Sequence, residues 1–180
     1  MSDDLKARID FLENEIVKLQ SREGVTAAFN QYLYGIDTGF IEGILDAFTE
    51  DSALHVINFP PDGIDMHFEG REEMASLYER YQSRTGTISD GHNASNISLV
   101  IGEAPGTATL SAYFTTTRPA GIQGGRYEGH LVLEADGKWR FSQLSIISAW
   151  GWTTDTHKRS DPVGIDRSIF EGKPASAFPK

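Results

Sequence analysis

The sequence has no cysteine. That excludes a disulfide framework, a thiolate nucleophile, thiolate-bound zinc and cysteine-ligated iron–sulfur clusters. Long apolar runs are also missing; none approaches the ~18–20 residues of a membrane-spanning helix. The acidic start, Met1-Ser2-Asp3-Asp4, is not followed by the apolar core of a secretory leader. Basic residues are few, 16 Lys and Arg against 26 Asp and Glu, for a net charge of −10. A nucleic-acid binder needs a basic surface, and an anionic membrane repels an acidic one. The expectation is a cytoplasmic protein without nucleic-acid or membrane partners. The familiar cofactor motifs are absent as well: there is no dinucleotide-binding glycine fingerprint, no phosphate loop and no His-Glu-x-x-His. None of the five histidines (His55, His67, His92, His130, His157) has another two to five residues away. Local spacing therefore gives no metal site, and no cofactor is expected.

What remains is a chain of 180 residues, 39% hydrophobic and 23% charged, long enough for one domain with a substantial core. Leu5, Ile9, Leu12, Ile16 and Leu19 recur at spacings of four and three, which predicts a helix over 4–20. Ser21-Arg22-Glu23-Gly24 reads as an interruption. A second helix is expected over 25–36, ending near Gly35 and Gly39, and a third over 41–48. Strands follow at 53–58 and 65–68 around a Pro60-Pro61 break, then a helix at 71–83. Four further strands are expected at 92–101, 107–118, 126–135 and 138–149, joined by turn-forming Gly, Pro and Asp as an antiparallel meander. Gly121-Ile122-Gln123-Gly124-Gly125 reads as a loop. Helices first and strands later give an α+β class. We read 1–152 as one domain with 1–21 as a helical extension, and 153–180 as an extended arm.

The residues suited to chemistry are Tyr32, Asp37 and His92. Asp37 closes an apolar helix five residues after Tyr32. An aspartate there also suits a cap of the next helix. His92 opens a strand in His92-Asn93-Ala94-Ser95-Asn96, and strand periodicity puts His92 and Asn96 on one face. Alone, such a histidine is more often a hydrogen-bonded structural residue than a catalyst.

Three segments together carry a resemblance. The first runs from Arg22-Glu23 through Tyr32 and Asp37 to Ala47-Phe48-Thr49-Glu50-Asp51. The second is Phe68-Glu69-Gly70-Arg71-Glu72-Glu73. The third is His92 to Ile97 with the meander after it, including Gly125-Arg126-Tyr127-Glu128 and Gly137-Lys138-Trp139-Arg140. The chain resembles the SnoaL-like branch of the nuclear transport factor 2-like superfamily over about residues 22–147. The resemblance implies a cone-shaped barrel, a strongly bent antiparallel sheet wrapped around N-terminal helices with an internal apolar pocket. It also implies, from the lyase members, a pocket histidine oriented by an aspartate at a helix end. His92 and Asp37 match those two, and Tyr32 matches a pocket tyrosine of the dehydratases. Asn96, His130, Tyr34, Tyr113 and Arg126 are the candidate substrate-binding residues, with Arg140 a further basic group to complete the site.

Imidazole takes and returns protons near neutral pH, a carboxylate on one ring nitrogen fixes its tautomer, and a phenol can protonate a leaving group. These groups suffice for a cofactor-independent lyase acting on a small hydrophobic, aromatic alcohol or diol. Dehydration is the first expectation and aldehyde-releasing carbon–carbon cleavage the second; an isomerase could use the same pair. The rivals are a non-catalytic binding protein or dioxygenase small subunit, and a metal enzyme using His55, His92 or His130 from adjacent strands. The N-terminal stripe covers about two heptads, too few for a free coiled coil, and is read as lying on its own domain or on a neighbouring subunit; with the arm it points to a homo-oligomer, dimer or trimer.

Overall fold

In the computed structural model, which describes residues 3–59, 63–85, 91–118, 121–153 and 159–160, the first element is one helix. α1 spans Asp3–Thr38 without a break at Ser21–Gly24. A lone glycine costs a helix only ~1 kcal/mol relative to alanine, and Gly24 has a packing purpose. A Cβ there would run into the indole of Trp139. α1 ends by a left-handed glycine: Gly39 has φ of 73° and the Phe40 N–H reaches back to the Gly35 carbonyl at 3.0 Å.

α2 (Ile41–Asp46), β1 (Phe48–Phe59), β2 (Ile64–Glu69) and α3 (Gly70–Thr85) follow. The meander is β3 (Gly91–Ile101), β4 (Thr107–Arg118), β5 (Gly121–Leu133) and β6 (Trp139–Thr153). All four expected strands are present, with β5 and β6 longer than the pattern suggested. Gly121–Gly125 is not a loop but the start of β5. A Cβ on Gly125 would strike the Ile147 carbonyl, and one on Gly124 would enter the Trp150 ring. These glycines let strand and ring approach at a register shift of the β5–β6 pair, so they belong to a strand rather than to a turn. β1 likewise begins at Phe48, five residues before the expected start.

The sheet runs β2-β1-β6-β5-β4-β3. Neighbours are antiparallel except β1 and β6, which are parallel, so the sheet is mixed rather than antiparallel. It is also open, ending at β2 and β3. The helices pack against it. Of the expected arm, Arg159–Ser160 forms β7, antiparallel to Gly151–Trp152 of β6. Thr153, the first residue of the expected arm, closes β6, and the remainder, His157 included, lies outside the described residues.

The core is aromatic. Tyr32 of α1 meets Phe48, Tyr78, Tyr127 and Phe141 edge-on, at centroid distances of 5.5–6.4 Å. Such pairs each contribute ~0.5–1.5 kcal/mol beyond area burial. Below them Arg140, buried at the start of β6, is held by three carboxylates. Its Nη1 donates to Glu134 at 2.6 Å, and its Nη2 to Asp136 at 2.8 Å and to Asp46 at 2.9 Å. The Asp136 hydrogen bond, followed by those of Asp46 and Glu134, holds the guanidinium well above its usual range against the opposing effect of burial. Burial would raise Asp46, but Arg140, Lys138 and Gln31 outweigh it and keep that carboxyl below the usual range. The cluster ties the end of α2 to the β5–β6 turn. Arg140 is therefore a structural clamp and not the basic residue that completes a site.

Candidate active site

The last turn of α1 buries Tyr32, Leu33, Gly35 and Ile36. It also carries Asp37, at the negative end of the helix dipole where a carboxylate is disfavoured. Asp37 does not cap α2: that cap position is Phe40, which makes no side-chain cap bond. Its carboxylate goes to the first residues of β3 instead. Oδ1 lies 2.5 Å from His92 Nδ1, and the His92 backbone N–H is shared between Oδ1 and Oδ2 at 3.1 and 3.2 Å. A charge-assisted contact of this length is at the strong end of its class. The imidazole is 7% exposed and the carboxylate 29%.

The pairing decides the tautomer. With Asp37 accepting from Nδ1–H, the lone pair of the neutral ring resides on Nε2. The geometry thus provides a base with a fixed proton on its other nitrogen and a carboxylate to stabilise the imidazolium.

Three hydroxyl-bearing residues that the sequence reading passed over lie on the inner face. Thr116 of β4 is the register partner of His92 and is fully buried. Ser148 of β6, opposite Gly125, is 3% exposed. Neither side-chain oxygen has a hydrogen-bond partner among the described residues. Tyr78 of α3 donates its hydroxyl to Tyr32 Oη at 3.2 Å. The strand pattern does hold a clue to Thr116: it continues the buried series Ala108, Leu110, Ala112, Phe114 at period two. Tyr78 follows the buried Met74 by one helical turn.

Five expected site residues are not brought to the Asp37–His92 pair. Tyr34 is 67% exposed, because two helical steps turn it away from Tyr32. Tyr113, Arg126 and His130 alternate with buried neighbours and face the outside of the sheet. Arg126 is paired there with Glu128 at 2.7 Å. His130 lines an open groove of about 700 Å³ on that outer surface, with Thr109 and Gln143 on either side. Asn96 sits in a bulge between Ser95 and Ser98, exposed and with φ of 50°. The bulge breaks the alternation on which a shared face with His92 was argued. The strand order also puts His55, His92 and His130 on β1, β3 and β5, no two of them adjacent. His55 on β1 is separated from His92 on β3 by β6, β5 and β4, and instead stacks on His67 at 4.3 Å. Among the described residues, no three histidine, aspartate or glutamate side chains gather as a metal site requires.

Comparison with known proteins identifies the family and the fold. The sequence profile of the SnoaL-like domain matches residues 17–145. The chain belongs to the SnoaL-like family. This family is a branch of the nuclear transport factor 2-like superfamily. No curated protein matches the sequence. Among solved structures, a proposed scytalone dehydratase from Novosphingobium aromaticivorans is similar at 22% identity and a TM-score of 0.63, covering 83% of this chain and 97% of that one. The hexachlorocyclohexane dehydrochlorinase LinA-type3 from Novosphingobium barchaimii shares 17% identity with a TM-score of 0.62, over 84% and 96%. The β subunit of a proposed aromatic-ring-hydroxylating dioxygenase from Novosphingobium aromaticivorans shares 16% at 0.55, over 70% and 87%. At these identities the structural likeness shows the fold. The described helices of this SnoaL-like chain include none long and apolar enough to cross a membrane.

Proposed function

We propose that this SnoaL-like protein is a cofactor-independent lyase acting on a small hydrophobic, aromatic alcohol or diol. The single observation that carries the reading is the 2.5 Å contact between Asp37 and His92, which holds a nearly buried imidazole against a carboxylate. In dehydration, His92 Nε2 takes a proton from the carbon next to the one bearing the hydroxyl. The C–H electron pair becomes the new double bond. The C–O bond breaks, and the departing oxygen receives a proton from the Tyr32 hydroxyl and leaves as water. The imidazolium, stabilised by Asp37, then returns its proton to the tyrosinate directly or through solvent. No electron changes hands, so the balance needs no redox partner. In aldehyde-releasing cleavage of a diol whose two hydroxyl carbons flank a third, His92 takes the proton of one hydroxyl, and its oxygen forms the aldehyde C=O. The C–C bond breaks and its pair becomes the new double bond, and the other hydroxyl leaves as water with the Tyr32 proton. An isomerase would break no C–O bond and lose no water; His92 would return the proton to a second carbon.

The similarity to a lyase-type dehydratase and a dehydrochlorinase supports this reading, and the similarity to a dioxygenase β subunit supports the non-catalytic rival. One experiment separates them. Chelator-treated protein is incubated with aryl alcohols, aryl diols and β-hydroxy carbonyl compounds, and mass spectrometry scores loss of water or formaldehyde. The lyase reading expects turnover of at least one class. Binding of the same compounds without conversion favours the non-catalytic reading.

A further inference from the structure

α1 is 36 residues long, but its buried residues begin only at Val25. The segment before that projects from the sheet by ~30 Å at 1.5 Å per residue. Its apolar stripe, Leu5, Ile9, Leu12, Ile16 and Leu19, is 37–65% exposed. We infer that this stripe is the seam of a parallel two-stranded coiled coil formed with the same segment of a second copy of the chain. The inference is independent of the proposed chemistry.

The residue types choose this partner. With Ile9 and Ile16 at the a positions, the d positions hold Leu5, Leu12 and Leu19. Within parallel coiled coils, isoleucine at a with leucine at d favours two strands over larger bundles. Flanking charges agree. Arg8 falls at g and Glu13 at the following e, so in a parallel pair Arg8 of each copy faces Glu13 of the other. The next such pair, Glu15 with Gln20, is free of repulsion. In a parallel pair all five layers align. Antiparallel registers align four at most; one strands Leu19, and the other sets Glu13 against Glu13 and Glu15 against Glu15.

The seam also ends where the fold requires. The next a and d positions are Glu23 and Thr26, both polar. There the helix turns to its own sheet: the Arg22 guanidinium donates to the Leu99 carbonyl at 3.1 Å, and Gly24 lies against Trp139. Two heptads alone would not hold a free peptide helix. Here the helix is already nucleated by its anchored second half, so association has little further ordering to impose.

The absence of native cysteine gives a clean test in the full-length protein. Leu5→Cys, oxidised at micromolar concentration, is expected to form a covalent dimer in high yield, because a parallel seam places the two thiols face to face. Sedimentation equilibrium of the cysteine-free chain gives the dissociation constant. Arg8→Glu is expected to weaken the association roughly tenfold through two lost ion pairs and two new repulsions. Adding Glu13→Arg to it is expected to restore the affinity to within about twofold. Circular dichroism checks that the helix persists. Three results would overturn the inference: no Leu5→Cys cross-link, a double variant weaker than Arg8→Glu alone (the antiparallel outcome), or an association indifferent to both changes.

Discussion

Asp37 reaches His92 twice, once at the ring and once at the backbone: Oδ1 is 2.5 Å from Nδ1, and the His92 N–H is shared with both carboxylate oxygens at 3.1 and 3.2 Å. The backbone contact fixes where β3 begins relative to the end of α1. The ring contact fixes which nitrogen holds the proton. Asp37→Asn keeps an acceptor for the backbone N–H but offers an amide donor toward the ring. The favoured tautomer then reverses, with the proton on Nε2. Long-range nitrogen-15 NMR of labelled protein is expected to show Nδ1–H for His92 in the natural chain and Nε2–H in the variant. Turnover is expected to fall roughly 10³–10⁴-fold.

The buried hydroxyls of Thr116 and Ser148 lack partners among the described residues. An unsatisfied buried hydroxyl costs ~1–3 kcal/mol. Thr116→Val removes that cost with almost no change of shape, so the melting temperature is expected to hold or rise. If the hydroxyl is kept for a polar atom of the substrate, KM is expected to rise about tenfold, the effect of one lost hydrogen bond. Calorimetry and steady-state kinetics on the same preparation read the two effects.

Arg140 is expected to matter for stability and not for turnover. Arg140→Met removes the cation shared by Asp46, Glu134 and Asp136 and leaves only Lys138, on Asp46, and a loss of about 2 kcal/mol in urea unfolding is expected. The pH dependence has a definite sign. Hydrogen bonding from Arg140 and from the Lys138 backbone pushes Asp136 down to about 2, and Asp46 is depressed in the same direction. Carboxyls depressed in the folded state contribute stability that is complete above their unfolded pKa near 4 and lost as pH falls toward the folded value. The natural protein is therefore expected to weaken between about pH 4 and 2 more steeply than Arg140→Met.

Gly125→Ala is expected to destabilise strongly, because its Cβ meets the Ile147 carbonyl, a backbone atom that cannot turn aside. A loss of ~3 kcal/mol or failure to fold is the expectation. Gly137→Ala is its control: the position has open space, and only its φ of 80° opposes a side chain. Thermal melts of the two variants compare steric with conformational cost, and the first is expected to be larger.

These contacts also show what could be read in the chain. Local marks, Gly39 at the helix end and Gly91 before the strand, singled out Asp37 and His92, but only the resemblance to the SnoaL-like family joined them and Tyr32 into one candidate site. The strands of the meander were legible from their turns. The continuity of α1 was not, since Gly24 looks like a breaker until Trp139 is beside it. The start of β5 was hidden for the same reason: glycines that admit a neighbouring ring or carbonyl read as loop. The parallel pairing of β1 with β6 joins residues about ninety positions apart, and no local pattern reports it. Sidedness was the main loss at the site. Tyr113, Arg126 and His130 have suitable chemistry, but each sits one residue out of phase with the inner face, and one residue is the whole difference between inside and outside.

The central claim is that His92, held by Asp37, is the proton-transferring group. The most direct measurement is kcat of His92→Ala on the panel compound that the natural protein converts, both proteins chelator-treated and both shown to be folded. The account predicts a loss of at least ~10³-fold. Turnover within tenfold of the natural protein would contradict it.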